Sequence, residues 1–107
     1  MAFSKFRNIK VTHDGYTFDS KREYRRYCEL KLLLKANLIR DLAMQPIFVV
    51  VPKTEKFREV RYIADFRYFD INTQQLVIED VKGVKTKDFI IKQKLMWHVH
   101  KIEVICV

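Results

Sequence analysis

Hydrophobic and polar positions follow two rhythms along this chain, and the switches between them mark its elements. Ile9-Lys10-Val11-Thr12 and Tyr16-Thr17-Phe18 alternate on either side of His13-Asp14-Gly15. Asp-Gly favours a two-residue hairpin turn, because both residues tolerate the left-handed backbone that such a turn requires. A β-hairpin is therefore predicted over 9–18, with Val11, Tyr16 and Phe18 facing inward. The period then lengthens. Tyr24, Tyr27, Cys28, the leucines between Leu30 and Leu34, and Ala36 form one broad apolar stripe, the pattern of a helix packed on a core. Ser20 and Glu23 stand at the spacing of a capping box, so the helix is predicted over 20–36 and Asn37 is its stop.

Alternation returns in the middle of the chain. Leu38–Ala43, Ile47–Val51, Arg58–Phe69 and Leu76–Val81 are strand candidates; Pro46 and Pro52 bound the second, and the turn Asp70–Gln74 precedes the fourth. Thr86 is a suitable N-cap for a second helix to His98. Residues 102–107 alternate Ile and Val with Glu103 and read as a last strand. The order is hairpin, helix, strands within 38–82, helix over 86–98 and strand. That is an α/β class fold with one mixed sheet flanked by helices, in a single domain spanning 1–107. The last strand can run parallel through its crossover helix.

Composition narrows the function. The chain has 107 residues, 21 Lys plus Arg against 13 Asp plus Glu, and a net charge of +8. Aromatic residues at 13% argue against a disordered basic tail. Only Gly15 and Gly83 are glycines, which excludes a dinucleotide-binding glycine loop. Cys28 and Cys106 make neither a disulfide framework nor a zinc motif, so a reducing compartment is expected. The basic start, Met1 to Arg7, is followed by no apolar region and does not read as a secretory signal. The longest apolar run, Ile47–Val51, is far short of the roughly 20 residues of a membrane span. A soluble cytoplasmic protein with an anionic partner, nucleic acid first, is the expectation.

Two strands carry acids where apolar residues are expected: Tyr62-Ile63-Ala64-Asp65-Phe66 and Ile78-Glu79-Asp80-Val81-Lys82-Gly83. Asp80, Lys82 and Ile78 share a face by the period of two. If the strands pair, Asp65 sits beside Asp80. Adjacent carboxylates repel, and a divalent cation relieves that cost. Lys82 can hold or deprotonate a water, or neutralise a phosphate. Glu23 is a candidate third carboxylate, with helix capping as its competing role. This set suits metal-dependent phosphodiester hydrolysis, with Mg²⁺ or Mn²⁺ rather than zinc as the cofactor.

Asp65, followed fifteen residues later by Asp80-Val81-Lys82, resembles the PD-(D/E)xK signature of restriction-endonuclease-like nucleases. Asp14 to Glu23, Gln45-Pro46, Tyr62 to Phe66 and Glu79 to Gly83 resemble a small phage-encoded family of that superfamily. The likeness runs from about Val11 to Val107. It implies an αβββαβ core near the Holliday-junction-resolvase and transposon-end nuclease branches. In that pattern Glu23, Asp65, Asp80 and Lys82 are the catalytic set, and the Val81 carbonyl is an extra metal ligand. The proline before the first aspartate is absent here; Ala64 stands in its place.

The resemblance implies an Mg-dependent endodeoxyribonuclease acting on branched or recombination DNA. A homodimer making paired cuts is expected, in a phage-encoded protein working with recombination or packaging proteins in a bacterial host. A non-catalytic DNA-binding or packaging accessory that keeps the fold is the alternative. Arg22, Arg25 and Arg26 on the first helix, with Lys5, Arg7, Lys10 and Lys21 near them, are candidate phosphate contacts, and so are Lys85 and Lys87. Lys92, Gln93 and Lys94 form a polar cluster on the second helix, and Gln93 shares a face with Trp97. Each basic group is otherwise a solvated face. Asp65 has a salt bridge to Arg61 or Arg67 as its bland reading, and Glu79, on the opposite face, awaits a helix-side cation. His98 and His100 lack a third metal ligand.

Overall fold

The structure, a computed structural model, describes residues 10–107; the basic candidates Lys5 and Arg7, and Ile9 at the start of the predicted hairpin, lie outside the described residues. Strands β1 (Val11–His13) and β2 (Tyr16–Phe18) form the hairpin, with Asp14 and Gly15 both at positive φ in its turn. Phe18 is buried, while Tyr16 is 41% exposed and lies against the rings of Phe18 and Tyr27 rather than beneath them. The Tyr27 hydroxyl donates to Asp14 Oδ2 at 2.7 Å, which ties the turn to the following helix.

That helix, α1, spans Lys21–Lys35. Ser20 is its N-cap and accepts the Glu23 N–H at 3.1 Å. Asn37, at φ 62°, takes the chain out of it. The stripe is narrower than the sequence suggests: Tyr27 and Leu30 are buried, but Leu32 is 68% exposed.

Six strands follow: β3 (Ile39–Met44), β4 (Ile47–Val51), β5 (Val60–Ile63), β6 (Phe66–Asp70), β7 (Gln75–Asp80) and β8 (Ile105–Cys106). The predicted single strand Arg58–Phe69 is two, broken at Ala64-Asp65. Opposite the break Gln45 adopts a left-handed φ of 55° before Pro46, which has no N–H to donate. Gln45 N–H still donates to the Asp65 carbonyl at 2.9 Å, and Ala64 N–H to the Pro46 carbonyl at 3.1 Å. The result is one long hairpin kinked in the middle. One arm, β3–β6, belongs to a four-stranded sheet of order β3-β6-β7-β8; the other, β4–β5, is paired separately. Within the sheet β3, β6 and β7 are antiparallel, and β8 runs parallel to β7.

Helix α2 (Lys87–Leu95) connects β7 to β8, with Thr86 as its N-cap accepting the Phe89 N–H at 3.1 Å. It is shorter than the predicted 86–98. A wider π-type turn over Met96–His100 replaces its end, and Lys101 at φ 57° stops it. The last strand is also shorter than 102–107, since only Ile105 and Cys106 pair with β7.

Two apolar cores result. On one side Phe18, Tyr27, Leu30, Ile39, Phe66 and Tyr68 pack under α1; on the other Val50, Tyr62, Ala64, Ile78, Phe89, Met96 and Val104 pack under α2 and the β4–β5 arm. Each large side chain so buried contributes about 1.5–3 kcal/mol. The architecture is mixed α/β, with the sheet between its helices. Both cysteines are free, and among the described residues no helix is long and apolar enough to cross a membrane.

Candidate functional site

The kink and the β6–β7 register together build the site. Phe66 pairs with Glu79, so Asp65 falls beside Asp80 where the two strands leave the sheet. The Asp65 N–H donates to the Glu79 carbonyl at 3.1 Å. Its side chain then continues the ladder, since Oδ2 accepts the Val81 N–H at 2.7 Å. Asp65 therefore forms no pair with Arg61 or Arg67; Arg61 bonds Glu59 at 2.5 Å instead.

Asp80 is only 2% exposed and faces the α2 core, as the period of two requires. The Tyr62 hydroxyl, delivered by the kinked arm, donates to Asp80 Oδ2. Lys82 Nζ lies 3.7 Å from Asp80 Oδ1 and 4.8 Å from the centre of the Phe89 ring. Burial, with hydrogen bonding to Asp80 next, pushes the Asp65 carboxyl up to about 8, against the smaller opposing effect of the Val81 N–H. Burial, reinforced by the hydrogen bond to Asp80, also raises Tyr62 far above the usual phenol range, so it remains a donor.

Glu23 approaches the pair without joining it. It is buried, at 5% exposure, and its Oε1 accepts the Asp19 N–H at 3.3 Å. A capping box would place that bond on Ser20; it reaches one residue further back. Burial raises the Glu23 pKa, the Asp19 N–H opposes this, and the charges of Asp80 and Lys82 also act on it. Among the described residues no three His, Cys, Asp or Glu side chains are close enough together to hold a metal ion.

The next residue on β7 has the opposite surroundings. Glu79 is 1% exposed and faces α1. Arg26 grips it with two bonds, Nε to Oε1 at 2.8 Å and a terminal nitrogen to Oε2 at 2.6 Å, and the Tyr68 hydroxyl donates to Oε2. Arg26 also reaches Glu29 at 2.9 Å. Glu79 thus has the helix-side cation expected for it. Arg26, one of the basic candidates, is thus engaged by Glu79 and Glu29.

The other predicted contacts scatter. Arg22 and Arg25 are exposed on α1, and Lys85 and Lys87 are exposed after Gly83. Lys92 pairs with Asp88 at 3.6 Å, and the Gln93 amide reaches the Val104 carbonyl at 3.4 Å. Gln93, Lys94 and the exposed Trp97 line one shallow cleft with Glu103 and Val104. His100 bonds the Val49 carbonyl at 2.8 Å, so it is committed away from His98. Tyr62 and Tyr68, both buried, were not among the candidates drawn from the sequence. A buried tyrosine needs a partner for its hydroxyl, and the two buried acids of β7 were the available acceptors.

Two carboxylates share this desolvated position, with a lysine beside them and, among the described residues, no arginine paired to them. Such an arrangement can accept a hard cation or a proton. A family model described as a protein of unknown function, DUF1064, matches residues 3–105 of the chain. No curated protein and no solved structure matches it.

Proposed function

The chain belongs to the DUF1064 family, and on that premise we propose that it is a divalent-metal-dependent DNA endonuclease of the restriction-endonuclease-like type. The observation that carries this reading is the pairing of Asp65 and Asp80 at the end of β6 and β7, with Lys82 at 3.7 Å from Asp80. The element order supports it too. Helix α1, antiparallel β3-β6-β7, helix α2 and parallel β8 follow the αβββαβ order of such cores.

The donor set fits Mg²⁺ or Mn²⁺, which take one or two carboxylates from protein and fill their shell with waters and phosphate oxygens. Asp65, Asp80 and the Val81 carbonyl would hold the ion, and Glu23 would join after releasing the Asp19 N–H. When bound, the ion supplies Lewis-acid polarisation of a phosphoryl oxygen and a more acidic water. The chain's own groups do the rest. Tyr62 fixes the rotamer of Asp80. The Val81 N–H fixes that of Asp65, which must give up its proton to the solvent before acting as a ligand. Lys82, held by Asp80 and the Phe89 ring, orients the attacking water and offsets charge on the phosphate. Exposed Lys85, Lys87 and Lys94 add sequence-independent contacts to the DNA backbone.

Branched or recombination DNA is the substrate class, in a phage protein acting in a bacterial cytoplasm, with a homodimer making paired cuts. The alternative, a non-catalytic DNA-binding accessory for recombination or packaging, is favoured by one fact: among the described residues no third acidic side chain completes the pair. Incubation with a four-way junction, a flap and plain duplex, in Mg²⁺, Mn²⁺ or chelator, separates the two. Metal-dependent cleavage lost in Asp80→Asn and Lys82→Ala is the expected result. No cleavage of any substrate favours the accessory, and cleavage surviving both substitutions removes the site assignment.

A further inference from the structure

The acid pair alone repels a DNA backbone, so productive binding requires positive charge placed close to it. A cleft of about 170 Å³ on the α1 side meets that need; it is lined by Arg22, Arg25, Arg26, Glu29, Val81 and Val107. Its arginines have different duties. Arg26 is neutralised by Glu79 beneath it, and Glu29 turns to Arg26 at 2.9 Å. Arg22 donates to the Val107 carbonyl at 3.1 Å, and its guanidinium lies 3.8 Å from the point where a Cβ on Gly83 would stand. Those contacts position the fork. Arg25 has neither a hydrogen bond nor an ion pair among the described residues.

Val81 joins the two places. Its N–H is held by Asp65 at 2.7 Å, and the same residue lines the arginine cleft. Val81 therefore borders both the acid pair and the cleft that Arg22 and Arg25 line. A guanidinium matches two phosphate oxygens at once and keeps its charge at any working pH.

We propose that Arg22 and Arg25 form a phosphate clamp for the DNA backbone, holding a phosphate next to the one presented to Asp65 and Asp80. The clamp rests on the nuclease reading for its purpose, but its binding is measured without cleavage. Affinity for a short fluorescent duplex is read in chelator between 50 and 200 mM salt. Arg22→Ala/Arg25→Ala is compared with the charge-matched Lys53→Ala/Lys56→Ala, whose lysines are exposed beyond β4. The clamp predicts at least about tenfold weaker binding for the arginine pair, with a log–log salt slope shallower by about two, roughly one per lost contact. Binding equal to wild type, or a loss no greater than that of the lysine pair, overturns it. If circular dichroism shows the alanine pair unfolded, Arg22→Lys/Arg25→Lys decides: weaker binding at an unchanged salt slope supports the fork, and wild-type binding overturns it. Absence of cleavage in the wild-type protein contradicts the nuclease reading and leaves this outcome separate.

Discussion

Glu79 and Asp80 are neighbours on β7, equally buried, and built for opposite ends. On the α1 side Glu79 meets the Arg26 fork and the Tyr68 hydroxyl, so its charge is fully compensated. On the α2 side Asp80 meets Tyr62, the Lys82 ammonium at 3.7 Å and a second acid, Asp65. Burial of an acid is thus no mark of function by itself. What sets Asp80 apart is a second acid beside it and a single lysine where Glu79 has a bidentate arginine, the kind of crowding that collects at cation and catalytic sites.

The widest separation between the two sides is in stability. Arg26→Ala leaves Glu79 buried without its cation and should cost about 3–5 kcal/mol in urea unfolding. A loss below about 1 kcal/mol would mean that the α1 side is not the structural one. Asp80→Asn should do the reverse. It keeps an acceptor for Tyr62 and removes a buried charge, so stability at neutral pH is unchanged or raised by up to about 1 kcal/mol. Cleavage by the same variant should fall at least about 100-fold.

The acid pair should also dominate the pH response in chelator. In the folded chain Asp65 keeps its proton to about pH 8, whereas an unfolded aspartate loses it near pH ~4. Between those limits the folded state carries the extra proton. Stability is therefore highest below this window and falls as pH rises through it, by at most about 1.4 kcal/mol per pH unit from this group. Asp65→Asn should flatten that slope, and a slope unchanged in the variant would remove the role given to the pair. The smallest effect is expected from Ser20→Ala, which loses the α1 cap for about 1 kcal/mol. Cleavage should change only a few-fold; a fall as deep as that of Asp80→Asn would place Glu23 at the centre of the site.

Much of this contrast was legible in the sequence, for identifiable reasons. Asp14-Gly15 and Ser20 with Glu23 act through local turn and cap chemistry, so the hairpin and the start of α1 stand where expected. The period of two along Ile78-Glu79-Asp80 separated the two acids onto opposite faces. The kink at Gln45-Pro46 and Ala64-Asp65 was not legible. It depends on hydrogen bonds between segments some twenty residues apart, so one strand was expected where β5 and β6 stand. Arg26 was read with Arg22 and Arg25 because their helix positions adjoin; only the α1–β7 packing shows which guanidinium meets Glu79. The π-type turn over Met96–His100 has no local signal in a segment whose residues suit an ordinary helix.

Calorimetric titration with Mn²⁺ in two buffers of different ionisation enthalpy tests the central claim most directly. At pH 7 the wild-type protein should bind Mn²⁺ and release a proton as Asp65 becomes a ligand, while Asp65→Asn and Asp80→Asn lose binding and Arg25→Ala keeps it. Equal Mn²⁺ binding by wild type and both acid variants would contradict the assignment of Asp65 and Asp80 as the cation site.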